Sequence, residues 1–175
     1  MKPIARVSED AESWPMYLLL MHMAATREIE RPCHEVFAFF SDASNNPEWQ
    51  KGMVSCIWIS DGPIGVGSTY EQTARFMGRA ITSTFRVTDY EPDHLIAITT
   101  IESTFPISVV RRVETIGEGR CRVSAEISGG PTGAARVLEP LMKRQAQKSV
   151  DGDYDRLVLL LESANTDSTP NSPSE

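Results

Sequence analysis

The chain is poor in the residues that bind metals or staple small folds, with three cysteines and three histidines among 175 residues. Cys33, Cys56 and Cys121 show no C-x-x-C spacing and His22, His34 and His94 are dispersed, so no metal site and no cofactor is expected. A sparse, odd cysteine count reads as free thiols in a reducing compartment, which places the protein in the cytoplasm. Basic residues are outnumbered too, 17 Lys and Arg against 24 Asp and Glu, for a net charge of −7. That balance lacks the clustered cations a phosphate backbone requires, so nucleic acid is not an expected partner. No stretch approaches the roughly 18 to 20 consecutive apolar residues of a spanning helix. Internal repeats and glycine-rich linkers are missing as well. Without a serine elbow, a spaced carboxylate pair or a nucleophile beside a base, no catalytic residue can be assigned.

What is present is enough for one core, because a chain of this length buries roughly 70% of its unfolded surface. The apolar run Trp14 to Met21 follows Glu9, Asp10 and Glu12 and leads into His22, unlike a secretory signal with its basic start and small-residue cleavage site. Residues 1–23 therefore read as an extension, either packed on the domain or lying upstream of it. Residues 164–175 hold almost nothing apolar and read as a disordered tail. The domain is expected over 24–163.

Within it, Thr26 to Glu30 reads as a short strand, and Pro32 stands just inside a helix running to Asp42. Ser44 to Gln50 offers cap residues, a proline and one large aromatic, the pattern of a second short helix. From Val54 onward β-branched and aromatic residues dominate and turn signals arrive regularly, which predicts six strands. They are Ser55–Ser60, Ser68–Met77, Ala80–Glu91, His94–Ser103, Ile107–Thr115 and Arg120–Ser128, joined by turns such as Pro92-Asp93 and Gly117-Glu118-Gly119. After Gly129-Gly130-Pro131, residues 132–163 carry Leu138, Leu141, Met142, Val150, Tyr154, Leu157, Val158 and Leu161 at helical spacing. The opposite stripe, which includes Lys143, Asp151, Asp153 and Asp155, reads as solvated, and Pro140 and Gly152 mark where this long helix bends or loosens.

Strand, two short helices, a meander and a long terminal helix form the order of the helix-grip fold. The wording fits as well: Ile29-Glu30-Arg31-Pro32 leading into Val36 to Asp42, Asn46-Pro47-Glu48-Trp49, Gly65-Val66-Gly67-Ser68, Val87 to Pro92, and Leu138-Glu139-Pro140-Leu141. On these stretches the sequence resembles the START-like (SRPBCC) superfamily of polyketide cyclase/dehydrase and lipid-transport proteins. The resemblance implies an α+β architecture, a curved seven-stranded antiparallel sheet wrapped around the long C-terminal helix, with a ligand cavity between them.

Alternation along the strands assigns the inward face. Tyr70, Gln72, Ala74 and Phe76 are expected inward on one strand, Ile81, Ser83, Phe85 and Val87 on the next, and Leu95, Ala97, Thr99 and Ile101 on the third. Val109, Arg111 and Val113 follow, then Val123, Ala125 and Ile127. Most of these are core, but Gln72, Ser83, Thr99 and Arg111 are polar groups that need partners on an apolar face. Arg111 has two readings: an anchor for a carboxylate, phenolate or carbonyl oxygen, or an ion pair with Glu102 or Glu71, unless a register slip puts Arg112 inside instead. The resemblance suggests Trp49 and Tyr70 as an aromatic lip over the cavity, with simple packing as the alternative. Met53, Met77 and Met142 suit a mouldable wall or plain core. Tyr154 stands on the apolar stripe of the long helix.

The resulting candidate ligand-binding set is Trp49, Tyr70, Gln72, Ile81, Ser83, Phe85, Thr99, Arg111, Met142 and Tyr154. The expected function is binding or transport of a small hydrophobic molecule: a lipid, an isoprenoid or quinone, or an aromatic polyketide. Two others stay open. In a cyclase, aromatase or dehydrase, Arg111 would polarise a carbonyl, Tyr70 would exchange a proton and Gln72 or Ser83 would orient the substrate. In a protein-interaction module the pocket would be vestigial. Nothing in the residues separates monomer from homodimer.

Overall fold

A computed structural model describes residues 21–76, 78–103, 106–129 and 139–163. The extension up to residue 20, the tail from residue 164, the helix start over 132–138, Met77, Phe105 and the side chains of Phe76, Leu141 and Met142 lie outside the described residues. Seven strands form one antiparallel sheet: β1 (His22–Ile29), β2 (Met53–Trp58), β3 (Thr69–Phe76), β4 (Arg79–Glu91), β5 (Leu95–Glu102), β6 (Ile107–Gly117) and β7 (Arg120–Gly129). Between β1 and β2 come α1 (Cys33–Ser41), a 3-10 turn and α2 (Asn46–Trp49), and α3 (Glu139–Ser163) follows the sheet. The spatial order β1-β7-β6-β5-β4-β3-β2 is a meander from β2 to β7 onto which the first strand adds at the far side.

The first strand is longer than the expected Thr26–Glu30. Met21, Met23, Ala25 and Ile29 are buried while His22, Ala24 and Thr26 are exposed, so a two-residue alternation already operates where the sequence pattern suggests an extension. His22 thus belongs to β1, and all three histidines are exposed. At the end of β7, Gly129 has φ 143°, and a β-carbon there would collide with the Pro106 carbonyl oxygen. Only glycine fits.

The core lies between the concave sheet face, α1, α2 and α3, with Val36, Phe40, Val87, Val113, Val123 and Leu157 almost fully buried. The aspartates expected on a solvated stripe instead tie α3 to β1: Arg27 meets Asp155 at 2.6 Å and Asp151 at 3.5 Å. The Gln147 amide donates to the Ala24 carbonyl at 2.8 Å and accepts from the Ala24 N–H at 3.3 Å. It thereby closes backbone groups on the open side of an edge strand.

The helix continues without a break through Gly152, which is exposed, and a β-carbon there would meet nothing within 4 Å. Gly152→Ala is therefore expected to stabilise the fold by about 1 kcal/mol. That corresponds to a rise of about 2–4 °C in Tm. A melting curve that falls instead would show that the helix needs its loose point there.

Candidate functional site

A cavity of about 160 Å³ lies between the sheet and α3. Its floor is built by side chains from the four central and distal strands, Phe85 of β4, Ile98 of β5, Ile107, Val109 and Arg111 of β6, and Ile127 of β7, with Gln72 of β3 at one side. Trp49 at the end of α2, the adjoining Gln50, and Val150, Asp153 and Tyr154 of α3 complete the wall. Trp49 is carried there because Asn46-Pro47-Glu48-Trp49 is a single turn of helix, with proline in its first positions.

Arg111 stands at the centre. Its side chain is turned inward between Val109 and Val113, while Arg112 faces the opposite side and pairs with Glu126 at 3.6 Å, which removes the slipped-register alternative. Arg111 forms no ion pair among the described residues, with Glu71 and Glu102 both exposed. Its Nη1 instead donates to the Phe40 carbonyl at 3.2 Å, one of the last carbonyls of α1 and thus lacking a partner further along the helix. The guanidinium carbon also lies 5.0 Å from the centre of the Trp49 ring, and the Tyr154 ring meets Trp49 edge-on at 5.2 Å. The structure therefore gives Arg111 a task that neither expectation included, capping a helix and stacking on an indole.

Of the ten expected site residues, Trp49, Gln72, Phe85, Arg111 and Tyr154 come together on the cavity wall. Tyr70 does not line it. It is buried behind, stacked flat on Phe85 with 5.3 Å between ring centres and with Trp58 edge-on at 5.1 Å. The lip expected from Trp49 and Tyr70 is thus not formed, since one packs in the wall and the other in the core behind it. Ile81 and Ser83 share the face of Phe85 but lie beyond the cavity, where the Ser83 hydroxyl meets that of Ser103 at 2.8 Å. The Met142 side chain lies outside the described residues.

The expectation for Thr99 is corrected. It pairs with Arg86 and Ser108 on the outer face, its hydroxyl 2.9 Å from that of Ser108. Ile96 and Ile98, not Leu95, Ala97 and Ile101, are the inward residues of β5, as their pairing with Arg111 and Val109 requires. Leu95-Ile96-Ala97-Ile98 is apolar at both parities, so alternation alone has no contrast to read. A bulge between Val87 and Asp89 also shifts the register of β4 against β5 and turns Tyr90 inward onto Phe37, ring centres 5.6 Å apart.

Gln50, Ile98, Ile107, Val109, Ile127, Val150 and Asp153 are wall residues absent from the expected set. Val150 is visible on the apolar stripe, but Asp153 sits beside Tyr154 on the stripe that reads as solvated. Its Oδ1 accepts the Lys51 N–H at 2.8 Å. Burial pushes the Asp153 carboxyl above its ordinary range, against the lowering effects of that N–H and of the Arg156, Arg111 and Lys51 charges. Burial also raises both phenols, Tyr70 and Tyr154, against the nearby Arg111 charge, so each remains a neutral hydroxyl near neutral pH. Cys56 is pushed up to about 11 by burial and is no ready nucleophile.

A half-barrel sheet gripping a C-terminal helix over a cavity defines a helix-grip, START-like fold. The chain belongs to the polyketide cyclase/dehydrase and lipid transport family, which it matches over residues 21–162. No curated protein matches it. Among solved structures it is similar to TTHA0849 from Thermus thermophilus, at 17% identity and TM-score 0.71, covering 82% of this chain and 98% of that one. The Zhui aromatase/cyclase from Streptomyces sp. R1128 is 14% identical with TM-score 0.70, covering 82% and 94%. A START superfamily protein from Mycobacterium smegmatis is 13% identical with TM-score 0.70, covering 82% and 99%. At these identities the likeness shows the fold alone. Among the described residues no helix is long and apolar enough to cross a membrane.

Proposed function

We propose that the protein binds a small hydrophobic molecule in the cavity between the sheet and α3. The observation that carries this reading is a wall of Phe85, Ile98, Val109 and Ile127 surrounding one buried arginine that forms no ion pair with a carboxylate among the described residues. An apolar space with a single oriented polar group is the usual composition of a ligand site. A binding role also suits the scarcity of acid–base groups. Tyr70, the proton donor or acceptor a cyclase or dehydrase reading would use, is stacked behind Phe85 and is not on the wall, and Asp153, the carboxyl that is on the wall, is held by the Lys51 N–H at 2.8 Å.

Native mass spectrometry of freshly purified full-length protein, followed by organic extraction, tests the reading. The expected result is a reproducible small apolar mass that is lost on denaturation. An empty spectrum, together with no uptake from a panel of lipids, quinones and single-ring aromatics, would overturn it and favour a protein-partner role.

A further inference from the structure

Four polar atoms of the cavity wall share one chemical property. Arg111 Nε, Trp49 Nε1, Gln50 Nε2 and the Tyr154 hydroxyl are buried and have no well-formed hydrogen bond among the described residues, and all four residues line the cavity. Arg111 Nε and Trp49 Nε1 can only donate, and a tyrosine hydroxyl donates readily. Where the guanidinium approaches the Tyr154 oxygen it does so as a donor, which leaves the phenol proton free. These groups come from α2, β6 and α3, yet the guanidinium carbon lies 5.0 Å and the Tyr154 ring centre 5.2 Å from the centre of the Trp49 ring. Arg111 is 8%, Tyr154 3% and Trp49 1% exposed, so bulk water does not serve them. Unpaired buried donors are uncommon in folded proteins, and each one needs a reason. Here the missing partner is an acceptor.

Charge narrows the choice. The Phe40 carbonyl and the Trp49 ring face Arg111 with partial charges only. Asp153, the acid on the same wall, is engaged with the Lys51 N–H at 2.8 Å and forms no ion pair with Arg111. A carboxylate supplies both a full counter-charge and two oxygens that suit a planar guanidinium fork. Size narrows it further. An apolar cavity of about 150 Å³ admits benzene, so about 160 Å³ admits one ring with a small substituent. It falls short of the roughly 300 Å³ at which drug-sized pockets begin.

We propose that the preferred occupant is a single-ring carboxylic acid, its ring against Phe85, Ile98, Val109 and Ile127 and its carboxylate toward Arg111, Trp49 and Tyr154. This inference rests on the ligand-binding reading above and specifies the ligand class of that same cavity.

Benzoate and toluene, which share a ring and differ in the carboxylate, are the probes. They are titrated into the full-length protein and followed by NMR shifts and by calorimetry. Benzoate is expected to bind at least tenfold more tightly than toluene, and Arg111→Gln to abolish that preference. Tyr154→Phe, which keeps the ring and removes the hydroxyl, is expected to weaken benzoate about fivefold and toluene by less, so that the preference narrows. It keeps the test decisive if Arg111→Gln fails to fold. Equal or tighter binding of toluene would overturn the carboxylate inference while leaving the apolar cavity intact. Binding of decanoate or a quinone without benzoate would do the same. Binding of none of these, with an empty native mass spectrum, would remove the ligand-binding reading itself.

Discussion

Trp49→Ala is expected to destabilise the protein by about 4 kcal/mol, the range for removing a fully buried indole. For a chain of this length that lowers Tm by about 10 °C. The indole is 1% exposed, lies under the Arg111 guanidinium and meets the Tyr154 ring, so truncation loses contacts to β6 and α3 at once. It also enlarges the cavity, and the variant is expected to accept bulkier apolar probes than the parent. Urea unfolding monitored by circular dichroism gives the stability, and uptake of naphthalene-sized probes gives the size. A loss under about 1 kcal/mol, the level of an ordinary surface change, would mean that the indole does not join α2 to β6 and α3 as described.

The second large effect falls on Arg111. Arg111→Ala removes a charge-assisted hydrogen bond to the Phe40 carbonyl, worth about 1.5–3 kcal/mol, and a desolvated cation–π contact of about 2 kcal/mol. Relief from burying a cation without a carboxylate offsets part of this, so a net loss of about 2 kcal/mol is expected. Arg111→Lys is expected to recover less than half, because one ammonium cannot both reach the carbonyl and lie flat on the indole. Thermal melts of the two variants side by side provide the check. An unchanged Tm in Arg111→Ala would show that the cost of burying the cation cancels the cap, and that the guanidinium does not support the fold.

Much of this site is legible in the sequence. Arg111 shares the parity of Ile107, Val109 and Val113, so its inward direction follows from the two-residue count, although the doublets Val109-Val110 and Arg111-Arg112 leave the one-residue slip open until the pairing is known. Tyr154 stands at helical spacing from Val150, Leu157 and Leu161. Phe85 and Gln72 follow by the same counts. Legibility stops where the pattern loses contrast, as in β5, or where a bulge adds a residue, as after Val87. It also stops at partners distant in sequence. Nothing in the residues around position 111 marks the carbonyl of Phe40 as its acceptor, 71 positions earlier.

The sequence by itself therefore determined the order of strands and helices, the helix-grip architecture and the candidate family. The order rests on local periodicity, turn chemistry and capping residues that need no knowledge of neighbours, while the architecture and the family follow from the resemblance of the quoted stretches to the START-like superfamily. Tertiary structure alone decided that Arg111 caps α1 over Trp49, that Tyr70 stacks behind the cavity, that Thr99 faces outward and that Asp153 reaches the wall. Each of those depends on which segments meet in space, and one bulge or one turn of helix is enough to change the partner.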